Sequence, residues 1–117
     1  MKKVYYLSTC STCKAILATT RLVEKGFTLQ DIKTDKITPA QLAEMKKRSG
    51  SYESLFSRRA IKYKELNLKD KSLTESDYRN YILDEYTFLK RPVVIINDKI
   101  FIGSEKKNID ALIQALR

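Results

Sequence analysis

Leu7-Ser8-Thr9-Cys10-Ser11-Thr12-Cys13-Lys14 is the stretch on which the reading of this 117-residue chain turns. A run of strand-forming residues, Val4-Tyr5-Tyr6-Leu7, stops at small polar residues, and a helical pattern starts just after Cys10. Both cysteines of the chain therefore sit where a strand becomes a helix. Cys10 falls at or just before the helix's first turn, where backbone N–H groups lack partners and the aligned peptide dipoles present partial positive charge. A thiolate is stabilised there, and the ordinary thiol pKa of about 8.5 falls in C-x-x-C motifs at helix starts. Cys13 comes round to the same side of the first turn, placed to attack a mixed disulfide formed at Cys10.

Downstream, Ala15, Ile16, Leu17, Leu22 and Val23 recur at helical spacing and Gly26 closes the pattern, which predicts a helix over 11–25. Phe27-Thr28-Leu29-Gln30-Asp31-Ile32 then alternates in type and predicts a second strand. Strand, helix, strand in about thirty residues is a β-α-β unit with parallel strands and a right-handed crossover. Thr38-Pro39-Ala40-Gln41 opens another helix, with Thr38 as N-cap, Pro39 at the first position, Gln41 completing a capping box, and Leu42 and Met45 on the apolar side up to Gly50. Residues 52–68 hold short apolar groups and predict one or two short helices. Thr74 caps a further helix, with Tyr78, Ile82, Leu83 and Tyr86 on its buried side. Arg91-Pro92 precedes the continuous apolar run Val93-Val94-Ile95-Ile96, a buried strand; Asn97-Asp98 turns the chain into an antiparallel Lys99-Ile100-Phe101-Ile102. A last amphipathic helix carries Ile109, Leu112, Ile113 and Leu116.

Composition bounds the chemistry. The length is that of one domain, residues 1–117, able to bury a single core without structural disulfides. No apolar run approaches a membrane span, and Met1-Lys2-Lys3 leads straight into a strand, so a cytoplasmic protein is expected. Two cysteines three residues apart cannot staple distant parts of a fold, and in a reducing compartment such a pair is more often catalytic or metal-binding than structural. Zinc needs four ligands, and the chain has no histidine and no third cysteine, so no metal is expected. The bland alternative is an incidental pair of small buried residues.

The formal charge is +9. Between Met45 and Lys71 nine Lys or Arg stand against three acids, a net +6. A solvated surface explains this segment, and so does attraction to an anionic thiol, an acidic protein or nucleic acid. Tyr78, Tyr81 and Tyr86 read as packing rather than a platform for bases, and direct nucleic-acid binding is not expected.

The element order is that of the thioredoxin architecture: an α/β fold with a mixed four-stranded sheet flanked by helices. Here a helical insertion, about 38–88, separates the β-α-β half from the C-terminal β-β-α half. In that arrangement the C-x-x-C faces the residue before the third strand, and a cis Arg91–Pro92 bond would turn the Arg91 backbone toward the thiols.

Cys10 to Lys14, Leu55-Phe56, Tyr63-Lys64-Glu65-Leu66-Asn67-Leu68, Arg91-Pro92-Val93-Val94-Ile95 and Ile102-Gly103 fall in an order that resembles the glutaredoxin-linked arsenate reductase family and its Spx-type relatives. The resemblance implies that Cys10 is the nucleophile and Arg91 the arginine before proline. Ser11, Thr12, Lys14, Arg58, Arg91 and Pro92 become candidate substrate or anion contacts. For Arg91 a surface ion pair is an equal alternative. Arsenate reductases of this type are expected to surround the oxyanion with three arginines. At the first of those positions this chain has Ser57, with Arg58 and Arg59 adjacent, and at the last it has Ser104. They also carry one cysteine in this loop, whereas the Spx-type regulators share the C-x-x-C and bind RNA polymerase, but with a basic tail that this chain lacks.

Three functions follow as expectations. The first is a thiol-disulfide oxidoreductase acting on a small thiol or an oxidised protein, with Cys13 as resolving thiol. It has no bound cofactor and is restored by glutathione, glutaredoxin or thioredoxin. The second is a redox sensor that binds the RNA polymerase α subunit, and the third is an arsenate reductase coupled to glutathione or glutaredoxin.

Overall fold

The computed structural model describes residues 1–117. The chain divides into two compact units, one formed by Met1–Lys36 with Arg91–Arg117 and the other by Ile37–Lys90.

The first unit holds the sheet. Its strands are β1 (Lys2–Tyr6), β2 (Thr28–Asp31), β3 (Val93–Ile96) and β4 (Lys99–Ile102), in the spatial order β2-β1-β3-β4. β1 and β2 are parallel, with Val4 opposite Leu29 and Tyr6 opposite Asp31, whereas β3 runs antiparallel to both β1 and β4. The sheet is mixed and flanked by helices, as the element order predicts. Val4, Val94 and Phe101 point to one face and pack with Leu22, Phe27 and Leu112, the last from helix α5 (Lys106–Ala115). Tyr5, Val93 and Ile95 point the other way and are equally buried, so β3 is apolar along its whole length because both its faces are covered. Asn97 takes a left-handed conformation, φ 54°, in the tight turn of the hairpin.

The first helix, α1, is shorter than its apolar spacing predicts: it runs Ser11–Thr20, not to residue 25. The Thr20 hydroxyl donates to the Ile16 carbonyl at 2.7 Å, a back-bond that competes with the helix ladder. Arg21 then turns left-handed, φ 55°, and donates its N–H to the Leu17 carbonyl, ending the helix where glycine was expected to. Leu22 consequently enters the core while Val23 is 62% exposed, so these two residues do not share a helical face. Ala15 is exposed as well.

The second unit contains helices α2 (Pro39–Ser49), α3 (Ile61–Glu65) and α4 (Glu75–Asp84), with 3₁₀ turns at Glu53–Leu55, Leu68–Asp70 and Tyr86–Phe88. Thr38 caps α2 through the expected box: its hydroxyl accepts the Gln41 N–H at 3.1 Å and the Gln41 side chain accepts the Thr38 N–H at 3.1 Å. Gly50, φ 94°, ends it. Thr74 caps α4 in the same way through Asp77. Tyr78 and Ile82 lie on the buried side of α4, but Tyr86 falls beyond it, in the following 3₁₀ turn. The Glu75 carboxylate accepts the N–H groups of Tyr52 and Glu53, tying the start of α4 to the first 3₁₀ turn. No helix is long and apolar enough to cross a membrane. Thr38→Ala removes one arm of the α2 box and is expected to lower stability by about 1 kcal/mol in a denaturant titration.

Candidate functional site

β1 delivers the chain to the sheet's end at Tyr6, and after four intervening residues α1 begins at Ser11. Cys10 is the N-cap of α1, with extended backbone angles, φ −94° and ψ 110°. Its N–H donates to the Leu7 carbonyl at 3.0 Å, closing a turn, and its carbonyl accepts the first helical bond from Lys14 at 3.1 Å. This is the position that serine, threonine or aspartate usually takes to satisfy free helix N–H groups. Cysteine brings sulfur there instead. The Cys10 side chain makes no full capping hydrogen bond, yet the N–H groups of Thr12 and Cys13 lie close enough to favour the thiolate.

The two thiols are free and unlike each other. Cys10 is partly exposed, and Cys13 is 0% exposed. Burial pushes the Cys10 pKa up, but the Cys13 N–H, the Cys13 thiol, the Arg91 charge and the Thr12 N–H together bring it below its ordinary value. Cys13 moves the opposite way, to about 11, first because of burial and then because its S–H serves the Cys10 sulfur and the Cys10 charge opposes a second anion. A Leu7 N–H and Arg91 offset only part of this. The arrangement is one ionisable thiol held at a helix tip by a buried protonated neighbour.

Arg91 is half-buried and precedes Pro92 through a cis peptide bond. Its charge reaches both sulfurs. Lys14, a candidate anion contact, is exposed on α1, and the cation that shifts Cys10 is Arg91. Ser11 and Thr12 lie exposed on the first turn of α1. Arg58 belongs to the second unit, where Glu53 binds it at 2.9 Å and the Tyr78 hydroxyl lies at 3.4 Å. That carboxylate neutralises the guanidinium locally. Ser57 donates its N–H to the Phe88 carbonyl at 2.6 Å, and Ser104 is half-buried after Gly103.

One residue that sequence reasoning passed over is Asp31, the last residue of β2. Its Oδ1 accepts the N–H groups of Ser8 at 3.4 Å and Lys33 at 3.2 Å. The Ser8 hydroxyl, then the Lys33 and Ser8 N–H groups, hold the carboxyl below the usual carboxylate range. The available signal was the parallel pairing itself, which sets the end of the second strand beside the end of the first.

A mixed sheet in the order β2-β1-β3-β4, a cysteine pair at the first helix and a cis-proline before the third strand define a thioredoxin-like protein. More narrowly, the chain belongs to the ArsC family, whose model matches residues 5–112. An arsenate reductase of Neisseria meningitidis serogroup A is 28% identical over 116 residues, covering 95% of this chain and 97% of the relative. The uncharacterized protein YusI of Bacillus subtilis is 25% identical over 111 residues, covering 91% and 92%. The solved structure of an arsenate reductase from Vibrio cholerae superimposes with a TM-score of 0.77 at 18% identity, covering 95% of this chain and 94% of that one; it speaks for the fold alone.

Proposed function

We propose that this ArsC-family chain is a thiol-disulfide oxidoreductase, with Cys10 as nucleophile and Cys13 as resolving thiol. The asymmetry of the two thiols supports this most directly: the partly exposed one favours its anion and the buried one its proton. The Cys10 thiolate attacks one sulfur of a substrate disulfide, the S–S bond breaks, and the second sulfur leaves as a thiolate that takes up a proton. Once Cys10 is bonded to the guest it carries no charge and accepts no S–H. Two of the causes that raise Cys13 then vanish, while the Leu7 N–H and Arg91 remain. Cys13 gives up its proton, attacks the Cys10 sulfur, and releases the guest as a thiol. The product is a Cys10–Cys13 disulfide, which two electrons and two protons from glutathione, glutaredoxin or thioredoxin return to the dithiol.

The substrate class is a small disulfide or an oxidised protein. The test is to treat the reduced protein with one equivalent of oxidised glutathione and weigh it. The expected product is the unmodified chain lighter by two hydrogens, with no glutathione retained. A lasting glutathione adduct would remove the resolving role of Cys13, and no reaction at all would remove the proposal.

Arsenate reduction is the second reading, favoured by the name of the Neisseria relative and by the Arg91 charge at Cys10. Arsenate must be neutralised beside a thiolate, and serines stand at two of the three positions where arginines are expected. Glutathione-coupled arsenate turnover that is lost in Arg91→Ala would decide for this reading, and absence of turnover would leave disulfide exchange.

A further inference from the structure

The loop that carries Cys10 is only four residues long, from Leu7 to the N-cap, and it is held at both ends. At its far end, Lys14 donates to the Cys10 carbonyl and Cys10 to the Leu7 carbonyl. At its near end stands Ser8, half-buried, whose N–H and hydroxyl are both engaged by the Asp31 carboxylate. Asp31 is itself fixed: its backbone pairs with Tyr6, the next residue donates to the Tyr6 carbonyl at 2.9 Å, and its Oδ1 also accepts the Lys33 N–H. Thr9 alone, exposed, separates the pinned Ser8 from Cys10. We propose that Asp31 is a positioning residue for Cys10: its carboxylate holds the loop so that the sulfur meets the Thr12 and Cys13 N–H groups at the tip of α1. This deepens the reading of Cys10 as the reactive thiol and rests on it.

Position and charge predict opposite signs, which makes the claim testable. Arg91 and Cys13 are the titratable or charged groups that chiefly act on Cys10. If Asp31 acted through its negative charge, removing it would favour the thiolate and lower the Cys10 titration midpoint. If it acts by holding the loop, removing it lets the sulfur drift from the N–H groups and raises the midpoint.

The experiment is the rate of iodoacetamide alkylation against pH, read by mass spectrometry of the labelled Cys10 peptide in the full chain. Asp31→Ala is expected to raise the midpoint by about half a pH unit, roughly threefold less thiolate below it. Asp31→Asn keeps an oxygen acceptor at Oδ1 and is expected to restore the wild-type midpoint. An unchanged or lowered midpoint in Asp31→Ala overturns the proposal, and so does an Asn variant as impaired as the Ala one. Should Asp31→Ala not fold, Ser8→Ala removes the hydroxyl arm without touching β2; it is expected to move the midpoint upward by less, and a wild-type value there overturns the proposal. The two readings fail separately. A wild-type midpoint equal to that of free cysteine removes the thiolate reading, whereas a low wild-type midpoint that ignores Asp31 removes only the positioning role.

Discussion

Cys10→Ser is expected to lose thiol-disulfide exchange by roughly a thousandfold or more, because a hydroxyl at this pH is not ionised and does not attack sulfur. Cys13→Ser should behave differently: the first exchange at Cys10 proceeds, and the mixed disulfide then accumulates for want of a resolving thiol. Serine's O–H can still donate to the Cys10 sulfur, so its alkylation midpoint should stay near the wild-type value. Cys13→Ala has no donor and should raise it, since the Cys13 thiol is one of the groups that lower the Cys10 pKa. The sign follows from the direction of each shift. With Cys10 below its ordinary value, alkylation should hold its plateau to a lower pH than free cysteine does, then fall about tenfold per pH unit below the midpoint. Stopped-flow exchange with a glutathionylated peptide, with mass spectrometry of the products, reads both variants. Exchange retained in Cys10→Ser would reverse the assignment and make the buried thiol the entry point.

The parts of this fold legible in the sequence are those governed by local chemistry. The Thr38-Pro39-Ala40-Gln41 box, the Asn97-Asp98 turn and the all-apolar β3 each carry their own physical cause within a few residues. The end of α1 was not legible. Leu22 and Val23 continue the helical spacing, and only the Thr20 back-bond and a left-handed Arg21 divert them, which no period reveals. The site divides in the same way. A cysteine at a strand-to-helix switch announces itself from local residues, but the source of the positive charge is legible only through the fold and the family resemblance. Lys14 is near in sequence and exposed, whereas Arg91, far along the chain, is brought to the sulfurs by the β1–β3 pairing. Asp31 stayed hidden for the same reason, since its meaning depends on which strand ends beside which.

Arg58 owes its candidacy as an anion contact to its position in the chain. Its place beside Ser57 made it a stand-in for an expected guanidinium. Glu53 instead meets it at 2.9 Å, with the Tyr78 hydroxyl beside it, and the carboxylate holds it above the usual arginine range. The Glu53 carboxylate offsets part of the positive charge that Arg58 could offer an oxyanion.

Phe56→Ala is expected to destabilise the protein by about 3–5 kcal/mol. Phe56 is 0% exposed in the second unit. Its ring stacks on Phe88 at 5.0 Å, meets Tyr78 edge-on at 4.9 Å and lies 6.0 Å from Tyr63. Helices in this unit are short and it contains none of the four strands, so side-chain packing carries more of its cohesion. The backbone around Phe56 cannot follow an inward collapse. Phe56 bridges Leu89, the Ser57 N–H is bonded to the Phe88 carbonyl at 2.6 Å, and the Lys90 N–H to the Leu55 carbonyl at 2.8 Å. A cavity therefore persists, and its cost adds to the lost transfer energy. Phe56→Leu keeps most of the volume and should cost about 1–2 kcal/mol. Ile61→Ala, at a side chain 76% exposed, should stay within about 0.5 kcal/mol. Urea midpoints at constant slope measure all three. If Phe56→Ala cost no more than Ile61→Ala, the aromatic cluster would not be what holds this unit together, and the capped helices with their Glu75 tie would have to supply the difference.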